Sequence, residues 1–309
     1  MFPLVLIYWR GPMAFINQYH QDSWRQVSSL IANSQLVDTA NGPVEFAQCG
    51  SGPSVILSHG SLGGYDQGLW LAGLLGSGMH YLAPSRFGYL RASLPTDASP
   101  IAQADHYAAL LDALHVDRAT VIGLSAGGLS ALQFALRHPD RCTALVMLSA
   151  ISHQMTDMPR FFKVLFFGLM KTNFLPWLLF RFSPASIYCT NGVNRALLAR
   201  ISQDAEKMDL LCSLARTSML PAMRRAGMRN DWEQATQMPT YPLAMIDVPT
   251  LVVHAVNDPV VPFEFGRYST AHIPGARMLQ VEDGGHFCCI THREKVVPEI
   301  VQVLKTAFS

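Results

Sequence analysis

Four short, largely apolar runs punctuate this chain: residues 54–58, 119–123, 144–148 and 250–255. Each is continuous rather than alternating, the pattern of a strand covered on both faces. Stretches of helical spacing separate them. Ser99-Pro100 reads as a cap with proline in the first helical position. Ile101, Ala104, Ala108, Leu111 and Leu114 then recur at helical intervals. A second helix is expected over about 126–137, closed by His138-Pro139-Asp140. Strands alternating with helices imply a parallel sheet with helices on both faces, because a parallel strand pair needs a long crossover.

The alternation begins late and is interrupted once. Residues 1–34 show no specific pattern and are read as an N-terminal extension. Residues 34–39 and 43–47 read as strands joined at Asn41-Gly42, a hairpin signal. A further strand is expected at 80–83. From 151 to 245 the spacing is helical, rich in Met and Phe, with no strand-like run. Strands resume at 250–255 and 278–281, and a closing helix is expected at 296–308. The core therefore comprises 35–150 and 246–309, with 151–245 as a helical insertion.

Composition narrows the function classes. The chain has 309 residues, 50% apolar and 15% charged, with 23 basic and 22 acidic side chains. Disorder is excluded by that apolar content, and the even charge gives no reason to expect nucleic acid. The greasiest window, 161–182, has 15 apolar residues of 22, but Lys163, Lys171, Pro176 and Arg181 break it. It is too interrupted for a membrane span, which needs about 20 mostly apolar residues. Residues 2–9 are apolar but lack the basic flank and cleavage site of a secretory signal; a short anchor or swapped arm stays open. The six cysteines, Cys49, Cys142, Cys189, Cys212, Cys288 and Cys289, form no C-x-x-C pair and no zinc spacing. Reduced core thiols, a cytoplasmic location with membrane association left open, and no metal are expected.

The chemistry gathers at one end of the expected strands. Gly123-Leu124-Ser125-Ala126-Gly127 fits G-x-S-x-G between a strand and a helix, where a strained turn exposes a serine. Serine is a weak nucleophile and needs a base oriented by a third group. Among eleven histidines, His286 follows a strand in a Gly-rich loop, Gly284-Gly285-His286. Asp258 leaves the strand before it, in Asn257-Asp258-Pro259. Asp247 is the fallback, although it precedes its strand; Asp283 is too near His286 in sequence. The backbone N–H groups of Ala126 and Ser61, with Leu62 next, are the expected oxyanion donors. They lie after the serine and in the Gly-rich loop His59-Gly60-Ser61-Leu62-Gly63-Gly64.

Those elements, together with Ser85-Arg86-Phe87-Gly88-Tyr89, stand in the order found in α/β-hydrolases. Over about 35–150 and 246–309 the chain resembles the esterase, haloperoxidase and carbon–carbon hydrolase branch with a helical cap. The resemblance implies a mostly parallel eight-stranded sheet flanked by helices, a cap after the sixth strand, a Ser125–Asp258–His286 triad and no cofactor. The cap itself and Cys288-Cys289 depart from any specific pattern. A serine at the elbow fits an acyl-enzyme route, whereas related dehalogenases and epoxide hydrolases use aspartate there.

The expected activity is hydrolysis of carboxylic esters with hydrophobic acyl or aryl groups. Phe162 and Phe166 of the insertion and Phe287 beside the histidine are the expected substrate contacts. The expected partner is a small hydrophobic ester; a lipid interface and the oligomeric state stay open. Alternatives are a carbon–carbon hydrolase acting on meta-cleavage products, for which Arg86 or Arg181 could supply the needed cation, and a lipase, acyltransferase or perhydrolase on the same triad. A ligand-binding protein on the same scaffold is the non-enzyme alternative.

Overall fold

The computed structural model describes residues 12–182 and 193–308. The apolar residues 2–9 and Cys189 lie outside the described residues. Eight strands form one sheet in the order β1-β2-β4-β3-β5-β6-β7-β8. They are β1 (Gln35–Thr39), β2 (Gly42–Cys49), β3 (Ser54–Ser58), β4 (His80–Pro84), β5 (Ala119–Leu124), β6 (Cys142–Leu148), β7 (Thr250–Ala255) and β8 (Arg277–Val281). β1 pairs with β2 and β2 with β4 antiparallel; every later pairing is parallel. The hairpin closes with Thr39 opposite Gly42, whose φ of 101° suits a residue without a side chain.

The continuous apolar runs conceal a period of two. Ile56, Val121, Leu145, Met147 and Val252 enter one core cluster, with residues of the helices Pro100–Ala113 and Gly128–Arg137. Val55, Leu57, Ile122, Val146, Leu148 and Val253 enter the other, with the helices Tyr65–Leu75 and Arg293–Thr306. Successive side chains of a strand point to opposite faces, so a strand between two helix layers must be apolar at every position. Ser99 caps its helix as expected, accepting from the Ala102 N–H at 3.2 Å.

Between β6 and β7 the described residues carry five α-helices and no strand: Arg160–Leu169, Phe174–Phe182, Arg195–Ile201, Ala205–Thr217 and Arg225–Thr236. No element was expected in residues 1–34, yet Pro12–Ala32 is a helix of 21 residues. Its far end joins the core through Val27 and Leu30, and the Tyr65 hydroxyl donates to the Leu30 carbonyl at 2.6 Å. Its near end packs aromatic rings against the insertion: Phe15 and Tyr19 lie 5.0 and 5.4 Å from Trp177. The Trp177 indole N–H also donates to Asp22 at 3.2 Å. Among the described residues, no helix is long and apolar enough to cross a membrane.

Trp177 is thus the pin between this helix and the insertion. Trp177→Ala is expected to cost about 3 kcal/mol, as for removal of a large buried aromatic. Limited proteolysis should then cut within residues 12–32 before the core unfolds.

Candidate active site

The sharp turn after β5 places Ser125. Its φ is 53°, in the left-handed region that side chains rarely occupy. The turn is possible because its neighbours lack side chains. A Cβ on Gly127 would lie 2.1 Å from the Ser58 carbonyl oxygen, and one on Gly123 would lie 2.8 Å from the Gly128 Cα. Residues Ser125–Gly127 form a 3-10 turn, and the α-helix starts at Gly128, slightly later than the spacing predicts.

His286 leaves the loop after β8, and Asp258 the loop after β7. The loops are tied together by the Gly285 N–H, which donates to Asn257 Oδ1 at 2.8 Å. His286 Nδ1 lies 2.8 Å from Asp258 Oδ2, and Nε2 lies 3.1 Å from Ser125 Oγ. Asp258 Oδ1 accepts from the N–H groups of Val260 and Val261 at 2.9 and 3.0 Å. Burial pushes the Asp258 carboxyl pKa upward. The charge of His286, hydrogen bonds to His254 and His286, and the Val261 N–H outweigh it and hold the group well below the usual carboxylate range. An ionised carboxylate only accepts, so Nδ1 carries a proton in either state of His286, and in the neutral ring the Nε2 lone pair faces the serine. A hydroxyl beside an imidazole oriented in this way can be activated as a nucleophile. Asp247 is exposed at the opposite end of β7, and Asp283 is exposed and paired with Arg200 and His292.

The loop after β3 runs directly past the serine: a Cβ on Gly60 would lie 3.0 Å from the Ser125 Cβ. Its shape is fixed from several sides. The Gly60 N–H donates to Gln67 Oε1 at 2.7 Å, the Gly63 N–H to the Gly60 carbonyl at 3.1 Å, and Leu62 has φ 61°. His59, quoted in the sequence motif without a task, is buried and uses both ring nitrogens. Nε2 accepts the Arg86 N–H at 2.9 Å, which leaves Nδ1 to donate to the Gly60 carbonyl at 2.8 Å. Burial and the neighbouring Arg86 keep its pKa well below the ordinary value, so it is neutral.

Two ion pairs beside this loop join the core to the insertion. Arg86 of the core makes a bidentate contact with Asp231 of the insertion, both bonds 2.6 Å. The Tyr89 hydroxyl and Ser61 Oγ donate to the same carboxylate at 2.5 and 3.3 Å. In the reverse sense, Arg224 of the insertion is fully buried and binds Asp66 of the core at 3.0 and 2.8 Å. It also donates to the Gly63 carbonyl. The sequence reading missed Asp231, Asp66 and Arg224.

Comparison with known proteins agrees with this architecture. Residues 53–293 match the family model described as the alpha/beta hydrolase fold. The chain belongs to the α/β-hydrolase fold family. It is similar to the solved alpha/beta hydrolase fold protein from Nakamurella multipartita, with 32% identity and a TM-score of 0.80, covering 89% of this chain and 100% of that one. It is 27% identical over 248 residues to the putative carbamate hydrolase RutD of Serratia proteamaculans, 78% of this chain and 87% of that protein. It is 28% identical over 195 residues to the pimeloyl-[acyl-carrier protein] methyl ester esterase of Neisseria meningitidis, 62% of this chain and 70% of that one.

Within this α/β-hydrolase the expected substrate contacts separate. Phe287 is partly buried, its ring 5.7 Å from that of His286. Phe162 and Phe166 are 59% and 36% exposed. The buried ring is their neighbour Phe167, which shares a cluster with Tyr89, Met228 and Leu62. In a stretch apolar at nearly every position, spacing cannot tell which side faces inward. Arg86 is spent on Asp231, and Arg181 bonds to Gln18 at 3.4 Å. Cys288 and Cys289 are buried free thiols, and burial pushes the Cys288 thiol up to about 12. Among the described residues, no group of three or more His, Cys, Asp or Glu could hold a metal ion.

Two measurements follow from these contacts. Asp231→Ala strands the buried Tyr89 hydroxyl and a buried guanidinium, and should cost about 3–5 kcal/mol in denaturant unfolding. The depressed Asp258 pKa gives the second. Its folded-state value lies below the unfolded one, so its stabilisation is complete above about pH 4 and lost as the pH falls toward the folded value. The stability gap between wild type and Asp258→Asn should therefore shrink as the pH falls below about 4.

Proposed function

We propose that this α/β-hydrolase is a serine hydrolase of carboxylic esters with hydrophobic acyl or aryl groups. The observation that carries the reading is the chain Ser125–His286–Asp258, with links of 3.1 and 2.8 Å. Ser125 attacks the ester carbonyl while His286 Nε2 takes its proton. Asp258 keeps the imidazole oriented and stabilises its charged form. The N–H groups of Ala126 and Ser61, with Leu62 beside them, receive the developing oxyanion. His286 then protonates the leaving alcohol, and water releases the acid by the same steps in reverse.

An apolar substrate is supported by the surroundings of that loop. Leu62 packs with Phe167, Met170, Met228 and Trp232, flexible and aromatic side chains of the kind that suit acyl chains. The carbon–carbon alternative is disfavoured by one observation: Arg86, the cation near the site, already has a bidentate carboxylate partner. A carbamate presents a similar carbonyl, and an ester and carbamate panel ranks the two.

Ser125→Ala should lower turnover of a medium-chain p-nitrophenyl ester by at least about 10⁴-fold and leave the melting temperature nearly unchanged. The wild type alone should be labelled by a fluorophosphonate. Retention of activity by the variant would remove Ser125 from the reaction.

A further inference from the structure

The Arg160–Leu169 helix is turned inside out relative to a normal surface helix. Its described burial is confined to Phe167. Phe161 is 72% exposed and Val164 67%, and Phe162, Leu165 and Leu169 are exposed as well. A contiguous apolar surface of this kind on a water-facing helix marks an interaction site. From Arg160 to Phe182 there are four basic residues, Arg160, Lys163, Lys171 and Arg181, and no acidic one. Lys163 is paired with Asp157 at 2.6 Å and Arg181 bonds to Gln18 at 3.4 Å, while Arg160 and Lys171 are exposed.

We propose that this face seats the protein on anionic lipid surfaces, without crossing them. Apolar side chains beside exposed cations fit the boundary between acyl chains and acidic headgroups. A second copy of the chain fits less well. A two-fold contact would press the same patch against itself and double its excess of cations. The placement also has a use. The same helix contributes Phe167 to the cluster that holds Leu62 of the serine loop. A bilayer on its outer side would lie one helix diameter, about 10 Å, from that cluster. The docking is independent of the reaction assigned to Ser125, because binding and turnover are read separately.

The test is co-sedimentation of the full chain with phosphatidylcholine vesicles, pure or containing about one-third phosphatidylglycerol. The wild type should bind the mixed vesicles about tenfold more tightly than the neutral ones. The double variant Phe161→Glu/Val164→Glu, altered only at exposed positions, should lose about 100-fold in vesicle affinity. Its rate on dissolved p-nitrophenyl acetate should match that of the wild type. Absence of wild-type binding would overturn the proposal. Undiminished binding by the variant would overturn it too, and would assign binding elsewhere, for instance to the apolar residues 2–9. A dimer that the variant abolishes, without vesicle binding, would assign the face to a second copy.

Discussion

The backbone at Ser125 is the constraint on which the rest of the structure depends. A left-handed residue between a buried strand and a buried helix costs on the order of 1–3 kcal/mol and persists only when its surroundings leave no alternative. Here the surroundings are β5 in the middle of the sheet and a helix drawn close enough that Gly127 touches the Ser58 carbonyl. The carbonyl of Ser125 is engaged as well, by the Ile151 N–H at 3.0 Å. The hydroxyl therefore projects beyond the carboxyl edge of the sheet. The loops after β3, β7 and β8 can meet it there because parallel strands all end on that edge.

The second determinant is the reciprocal pair of salt bridges. Each side of the seam supplies one arginine and one aspartate, so neither surface carries a large net charge when they meet. Buried ion pairs often add little net stability, because both ions lose their water. What these two supply is registration. An unpaired guanidinium inside the seam is so unfavourable that the insertion has one seating on the core. That seating also fixes the serine loop, through Ser61 on one pair and the Gly63 carbonyl on the other.

How far the sequence could be read follows from the range of the interactions. Ser125 and His286 were legible because a local backbone requirement wrote itself as glycine: Gly123 and Gly127 around one, Gly284 and Gly285 before the other. Asp258 was legible from its place after a strand. The strands were legible because burial on two faces leaves a continuous apolar run. Asp231 and Arg224 were not, since a charged residue in a helix reads as a solvated one. Their partners lie 145 and 158 residues away. The helix Pro12–Ala32 escaped for the same reason: the rings that hold Phe15 and Tyr19 belong to residues 174–182. The inward choice of Phe167 over Phe162 is a matter of helix phase, which uniform hydrophobicity erases.

The seam is not spread evenly along the insertion. Residues 224–231 hold both ion-pair contacts, the Gly227 N–H bond to the Gly88 carbonyl at 2.9 Å and the Asn230 bond to the Ala98 carbonyl at 2.8 Å. The Arg160–Leu169 helix has a single buried residue. Mutational drift is therefore cheap at one end of the insertion and ruinous at the other. A lineage of such proteins can remodel residues 160–169 while the stretch around Asp231 keeps the serine loop in shape. The insertion thus separates evolvability from foldedness within fewer than a hundred residues.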